Sequence, residues 1–205
     1  MISMIWGSVT ALSQKHIKRL MAYSGIVNIG YMLVGVASGS ISSVVGLLVY
    51  LIIYIIMTIG FFSFILGMQK YKNNNLNTYL MDLLNIGKTN TLIVIAIILI
   101  LFSMIGLPPL AGFFGKMYLF FTIMNSELYL MGIIGVLSSV IAAFYYIRII
   151  KLMCFEKSKI FILYKSIDQA NSYVLATSVF LLLIFFIYSD ALLFLSYKIS
   201  LLFCF

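Results

Sequence analysis

The sequence predicts an all-α fold, a polytopic transmembrane bundle of about seven spans with a discontinuous helix near residues 106–116. Three observations carry this prediction. Of the 205 residues, 64% are hydrophobic and only 9% charged, whereas a water-soluble domain has about a quarter of its residues charged. The apolar residues fall in runs comparable to the roughly 20 residues that cross a hydrocarbon core. Both prolines of the chain stand inside one such run, GLPPLAGFFGKMYLF at 106–120.

Taken in order, the apolar runs place helices near residues 2–23, 25–39, 42–68, 80–105, 107–124, 128–153 and 171–195. The whole chain, 1–205, then reads as a single membrane domain, with extramembrane connections at 69–79 and 154–170. The second helix is short, about 22 Å long at 1.5 Å per residue, and its start can lie in the last turn of the first. The run from Thr91 to Met124 is about 51 Å of helix, too long for one ~30 Å core and slightly short for two. Pro108 and Pro109 decide where it bends. Neither donates a backbone hydrogen bond, and each disfavours helical geometry at the residue before it. One helix therefore ends near Gly106 and the next starts at the prolines.

Seven crossings put the polar connection QKYKNNNLNT (69–78) and the Lys151–Gln169 stretch on opposite faces of the membrane. Lys151, Lys157, Lys159 and Lys165 make the later one the better candidate for the inner face. No signal peptide is visible, because the basic residues of the first helix lie at its far end. There is no close internal repeat.

The net charge of +8 comes from scattered residues rather than a basic face, which argues for loops beside a membrane and against nucleic acid. Cys154, Cys204 and the single histidine, His16, are too few for a disulfide framework or a zinc site, so no metal is expected.

Two sets of charges sit inside apolar sequence. In SQKHIKRLMAYS, Lys15, Lys18 and Arg19 share one helical face. Lys15 and Arg19 are open to a second reading, as a basic helix end snorkelling to the headgroups. Lys18 has nearly another span of apolar sequence beyond it. Lys116 is sharper still, since MYLFFTIM runs uncharged after it. A lysine at mid-membrane normally faces a protein interior or hydrated cavity and has a function there. Loss of water disfavours the charged ammonium, so such a group can take up and release a proton near neutral pH. Gly106, Gly112 and Gly115 surround the break, and non-helical backbone at membrane depth is tolerated only where it is buried in protein or lines water. A plain proline kink between packed helices is the alternative. FYYIR (144–148) reads mostly as an interfacial anchor, although Tyr145 and Tyr146 can also relay a proton. Asp82, Glu127 and Asp190 lie near helix ends and are expected to be solvated.

As a set, LSQKHIKRLMAYSGIVNIGY (12–31), GLPPLAGFFGKMYLF (106–120) and SSVIAAFYYIRIIKLM (138–153) resemble the C-terminal half of the NADH dehydrogenase subunit 2 family, antiporter-like membrane subunits of respiratory Complex I. The resemblance covers about residues 1–154. It implies proton transfer by Lys18 and Lys116, with Tyr23, Ser24 and Tyr145 as relay or support. It also implies that NADH, FMN, iron–sulfur clusters and ubiquinone are bound by other subunits and none by this chain. The implied partners are other membrane-arm subunits, including neighbouring antiporter-like ones, membrane lipids, and a separate chain supplying the missing N-terminal half if the subunit is split. The implied location is the mitochondrial inner membrane, with a plastid thylakoid or bacterial plasma membrane as alternatives. The chain departs from the family in lacking that first half, with its own broken helix, glutamate and lysine. Asn28 stands where histidine is more usual. A subunit of a multi-subunit cation/proton antiporter, and a structural remnant of the membrane arm, are the rival readings.

Overall fold

The computed structural model describes residues 1–68, 79–84, 86, 90–156 and 168–203. Its helices are α1 (Ile2–Ser13), α2 (Ile17–Ala37), α3 (Ile41–Gly67), α4 (Thr91–Ile105), α5 (Ala111–Asn125), α6 (Tyr129–Cys154), α7 (Gln169–Ile187) and α8 (Ser189–Phe203), with a 3-10 turn at Leu80–Leu83. Four of them, α2, α3, α6 and α7, are long and apolar enough to cross a membrane. The connection at 69–78 and most of that between 154 and 170 lie outside the described residues, as does Cys204.

The expected boundaries of α3 and α6 are met within one residue, and others move. The first two predicted helices divide at residues 14–16 rather than at residue 24. Gln14 and His16 are extended, with ψ of 135° and 127°, and a second segment satisfies this stretch. Leu80 N donates to the Lys15 carbonyl at 3.0 Å, and the His16 and Tyr79 rings lie 4.3 Å apart. Nothing interrupts the helix at Ser24, whose hydroxyl bonds back to the Met21 carbonyl at 2.7 Å. The predicted helix 80–105 is a 3-10 turn followed by α4. The last predicted helix, 171–195, is two, because Tyr188 leaves helical geometry with φ −115° and ψ 54°.

α1 and α2 form an antiparallel hairpin in which glycines let the backbones approach. A Cβ on Gly7 would meet Val27 Cγ2 at 2.9 Å, and one on Gly30 would meet Met4 Cγ at 2.7 Å. This is the small-residue packing expected where helices associate in lipid. α3 then runs back, starting from Ser40, whose side chain accepts the Ser43 N–H at 3.2 Å.

The two halves of the broken segment make one crossing, not two. Along α3, Gly60 lies against Ile100 of α4, Gly115 of α5 lies against Tyr50 and Ile53, and Gly46 lies against Tyr118 and Leu119 of α5. The order 60, 50–53, 46 on α3 thus matches 100, 115, 118–119 on α4 and α5, and each half is only about 22 Å long. This corrects the expected topology. Lys15, Tyr79, Met81, Arg148 and Leu152 line one common hollow, so the connection ending at Tyr79 and the one leaving α6 emerge at the same end of the bundle rather than at opposite faces.

The main core gathers around α3, with Val49, Ile53, Met57, Phe61 and Phe64 packed against Ile97, Leu101, Tyr145, Ile149 and Leu182.

Candidate intramembrane lysine site

The site follows from two missing hydrogen atoms. In a continuing helix the carbonyls of Met104 and Ile105 would accept the N–H groups four residues on, which belong to Pro108 and Pro109 and do not exist. α4 stops instead at Gly106, whose φ of 88° is left-handed. Gly106 N donates to Phe102 O at 3.0 Å and Ser103 O at 3.1 Å, and Leu107 N donates to Phe102 O at 3.1 Å, the Schellman pattern for which glycine is the usual residue. Those bonds leave Met104 O and Ile105 O open. Lys116 Nζ donates to both, at 2.7 Å and 3.1 Å.

Lys116 is 6% exposed and lies at mid-height, one residue after Gly115, which packs against the middle of α3. Its charge sits at the negative end of the α4 dipole. The face of the Tyr31 ring is 5.6 Å from Nζ, within cation–π range. Among the described residues no carboxylate pairs with it; the ion pair present there is Lys151 with Glu156 at 3.4 Å. Gly112 brings α5 close enough for this geometry. Its N–H donates to Ser103 Oγ at 3.1 Å, and a Cβ there would overlap the Ser103 carbonyl oxygen.

Polar side chains continue from the lysine between α2, α3 and α6. The Tyr31 hydroxyl bonds to Ser138 Oγ at 2.9 Å and donates to Gly135 O at 3.2 Å. The Tyr50 hydroxyl donates to Asn28 Oδ1 at 2.9 Å, and the Tyr50 ring stacks on Tyr54 at 6.5 Å. Next, toward the basic end, comes the Tyr146 hydroxyl, with Ser24, Tyr54 and Tyr145 as polar neighbours. It is buried and makes no hydrogen bond among the described residues. A buried hydroxyl left unpaired costs about 1–3 kcal/mol, so this position is suited to a water molecule.

The predicted residues are not all brought together. Lys116, Gly106, Gly112 and Gly115 form one site with the prolines beside it. Ser24 and Tyr145 flank Tyr146, and Tyr23 is half-buried against the core. Lys18 stands apart, exposed in the first turn of α2 together with exposed Arg19. Asn28 and Tyr31, at the height of Lys116, are about 15–20 Å further along that helix. Tyr31, Tyr50, Tyr54, Ser103 and Ser138 were not anticipated. A signal existed for the α2 set, since Ser24, Asn28 and Tyr31 are spaced by four and three residues and share a face.

The family model described as NADH:quinone oxidoreductase/Mrp antiporter, TM, matches residues 1–142. NADH-ubiquinone oxidoreductase chain 2 of Marchantia polymorpha is 40% identical over 202 residues, 98% of this chain and 40% of that protein. NADH-quinone oxidoreductase subunit N of Rhodospirillum rubrum is 48% identical over 157 residues, 77% of this chain and 32% of that protein. The chain thus spans about two fifths or less of the length of these relatives. In fold it resembles a chain of respiratory complex I from Thermus thermophilus with bound aureothin, with TM-score 0.81, 24% identity, and coverage of 94% of this chain and 43% of that one. It also resembles a chain of the Mrp complex from Dietzia sp. DQ12-45-1b, with TM-score 0.80, 16% identity, and coverage of 97% and 45%.

Proposed function

Because the chain belongs to the NADH:quinone oxidoreductase/Mrp antiporter family of membrane proteins, we propose that it is part of a proton-translocating subunit in the membrane arm of an NADH:quinone oxidoreductase and that Lys116 is its proton-exchanging group. One observation carries the assignment of the lysine: Nζ is held by two backbone carbonyls and by no carboxylate among the described residues. An ammonium has three N–H groups and a neutral amine has two, so both carbonyls keep their donors in either state. Losing the proton removes the third N–H, the attraction to the Tyr31 ring and the favourable dipole term, and weakens the two retained bonds to neutral ones without leaving either carbonyl unpaired. A lysine fixed by an ion pair would instead leave a buried carboxylate unpaired on deprotonation, at several kcal/mol.

Protonation would be driven by charge elsewhere in the assembly. A unit charge moved to about 10 Å from Nζ changes the energy of the ammonium by roughly 1.7 kcal/mol at an effective dielectric of about 20, about a 17-fold shift in its proton equilibrium. The Tyr31, Tyr50, Asn28, Tyr54, Ser24 and Tyr146 seam offers hydroxyl and water positions between the lysine and the basic end. Lys18, exposed at that end, is placed to exchange protons with the aqueous side or with an adjoining subunit. The redox reaction belongs to other subunits, which would carry NADH, FMN, iron–sulfur clusters and ubiquinone. No group of three His, Cys, Asp or Glu side chains comes together among the described residues, and no step is assigned to a metal here.

The partners are other membrane-arm subunits, including an antiporter-like neighbour or a separate chain supplying the remaining part of the subunit. Exposed Ile5, Trp6 and Val9 on α1 and Ile26, Ile29 and Leu33 on α2 are the surface proposed for that contact. The cation-rich end, with Lys15, Lys18, Arg19, Arg148 and Lys151, is assigned to the inner side, the matrix if the membrane is the mitochondrial inner membrane. A cation/proton antiporter is the second reading, because the family description covers both. The identities of 40% and 48% with oxidoreductase subunits favour the first. Proton uptake by Lys116→Ala and Lys116→Arg variants tests the lysine's role, and both are expected to fail.

A further inference from the structure

Two adjoining hollows at the basic end, with volumes of about 330 and 630 Å³, share Met81, Arg148 and Leu152. The first is flanked by Lys15, and the second runs down α6 past Lys151, Ile147 and Phe144. The cations stand at the rim and the apolar side chains lie toward the membrane centre. Phe144 is 66% and Ile147 52% exposed. The apolar face continues beyond them through Val140, Leu137 and Ile133, all exposed, about 20 Å of helix from Arg148 to Ile133 and more than one ~15 Å leaflet.

The groove's polar groups are unequally committed. Lys151 is paired with Glu156. Asp82 accepts the Tyr79 N–H at 3.1 Å. Arg148 uses one N–H on the Leu12 carbonyl at 3.3 Å and has four others to offer. Lys15 engages Leu80 through its backbone carbonyl, which leaves its ammonium at the rim. Five cations (Lys15, Lys18, Arg19, Arg148, Lys151) face three carboxylates (Asp82, Glu156, Asp168) among the described residues of this end. A continuous apolar stripe ending in a surplus of positive charge at headgroup height matches one ligand chemistry, a phosphodiester attached to an acyl chain.

We propose that this groove is a binding site for an anionic phospholipid, its phosphate between Lys15 and Arg148 and one acyl chain along Ile147 and Phe144. The site lies where the end of α6, the α1–α2 turn and the 79–83 segment already meet, through Arg148 to Leu12 O and Leu80 N to Lys15 O, and its occupant would add to those contacts.

The test uses the assembled complex in vesicles of phosphatidylcholine doped with photoactivatable phosphatidylglycerol or, separately, photoactivatable phosphatidylcholine, with peptide mapping of the label. Phosphatidylglycerol is expected to label residues 144–152 roughly fivefold more than phosphatidylcholine, the discrimination about one engaged cation provides. Lys15→Gln and Arg148→Gln should each abolish most of that preference. Lys15→Gln serves as the safer variant, since the 80-segment bond uses its main chain and not its side chain. Equal labelling by the two lipids would overturn the proposal, as would a preference untouched in both variants. Absence of label on α6, with protein crosslinks there instead, would assign the groove to a neighbouring chain and equally overturn it.

Discussion

Replacing Gly112 by alanine tests whether the close approach of α5 to α4 creates the lysine site. The new Cβ overlaps the Ser103 carbonyl oxygen, a backbone atom in the last turn of α4 that cannot swing aside. Relief requires the two helix ends to separate, which stretches the Gly112 N–H bond to Ser103 Oγ beyond its 3.1 Å. Overpacking of this kind costs about 1–3 kcal/mol, and the lost hydrogen bond about 0.5–1.5 kcal/mol more. Alanine returns at most about 1 kcal/mol of helix propensity, leaving a net loss of roughly 1–3 kcal/mol. Gly132→Ala is the control, because its Cβ would meet only the flexible Met124 Sδ at 3.5 Å and Ile123 Cγ2 at 3.7 Å. It should be neutral or slightly stabilising. The assay is thermal unfolding of the purified complex, followed by the loss of this chain from the assembly, with proton uptake measured on the fraction that remains. Separating the helix ends also draws Nζ away from Met104 O and Ile105 O, so uptake per assembled complex should fall as well. Equal thermal stability of the two alanine variants, with parental uptake in both, would refute the reasoning.

Tyr146→Phe removes a hydroxyl that has no partner among the described residues; stability should hold or rise by about 1 kcal/mol while proton uptake slows, and a loss of thermal stability would show that the hydroxyl is bonded. Tyr50→Phe leaves the buried Asn28 Oδ1 without its donor and should cost about 1–3 kcal/mol in chemical denaturation. Adding Asn28→Leu should recover part of that, and strict additivity would mean the 2.9 Å bond contributes nothing. With Cys154, which is exposed, and Cys204 replaced by serine, single cysteines at Gln14 and Glu156 should react with an impermeant maleimide from one side of sealed vesicles and a cysteine at Ser126 from the other. Opposite access for Gln14 and Glu156 would contradict the single broken crossing.

Helices whose ends are set by their own residues were legible from the sequence. α3 runs from just after Gly39 and Ser40 to Gly67, α6 lies between Glu127 and Glu156, and the proline pair marks the break whatever surrounds it. The turn at residues 14–16 was not legible, because it is held by Leu80 and Tyr79 from a distant part of the chain. Two apolar segments on either side of the prolines looked like two crossings, and only their shared register along α3 shows that they are stacked end to end. The open carbonyls of Met104 and Ile105 can be deduced by counting four residues back from each proline. That Lys116 turns back toward them cannot, since its direction depends on Gly112 seating α5 against Ser103. Lys18 was expected inside a span. The break before Ile17 places it instead in the first turn of α2, exposed at the basic end.

The central claim is that Lys116 must lose its charge, and Lys116→Arg tests it most directly. Lys116→Ala removes the proposed proton carrier but also strands two buried carbonyls, at about 1–3 kcal/mol each, so a failure of that variant mixes assembly with conduction. Arginine retains donors for Met104 O and Ile105 O and keeps a positive charge at the end of α4, yet with a pKa above about 12 it does not release a proton near neutral pH. The measurement is proton uptake by vesicles containing the Lys116→Arg complex, driven by the NADH oxidation proposed for the assembly and divided by the amount of assembled complex. A complex that assembles but takes up protons no faster than Lys116→Ala is the predicted result. Parental uptake per assembled complex in Lys116→Arg would contradict the account and reduce Lys116 to a cap for the broken helix.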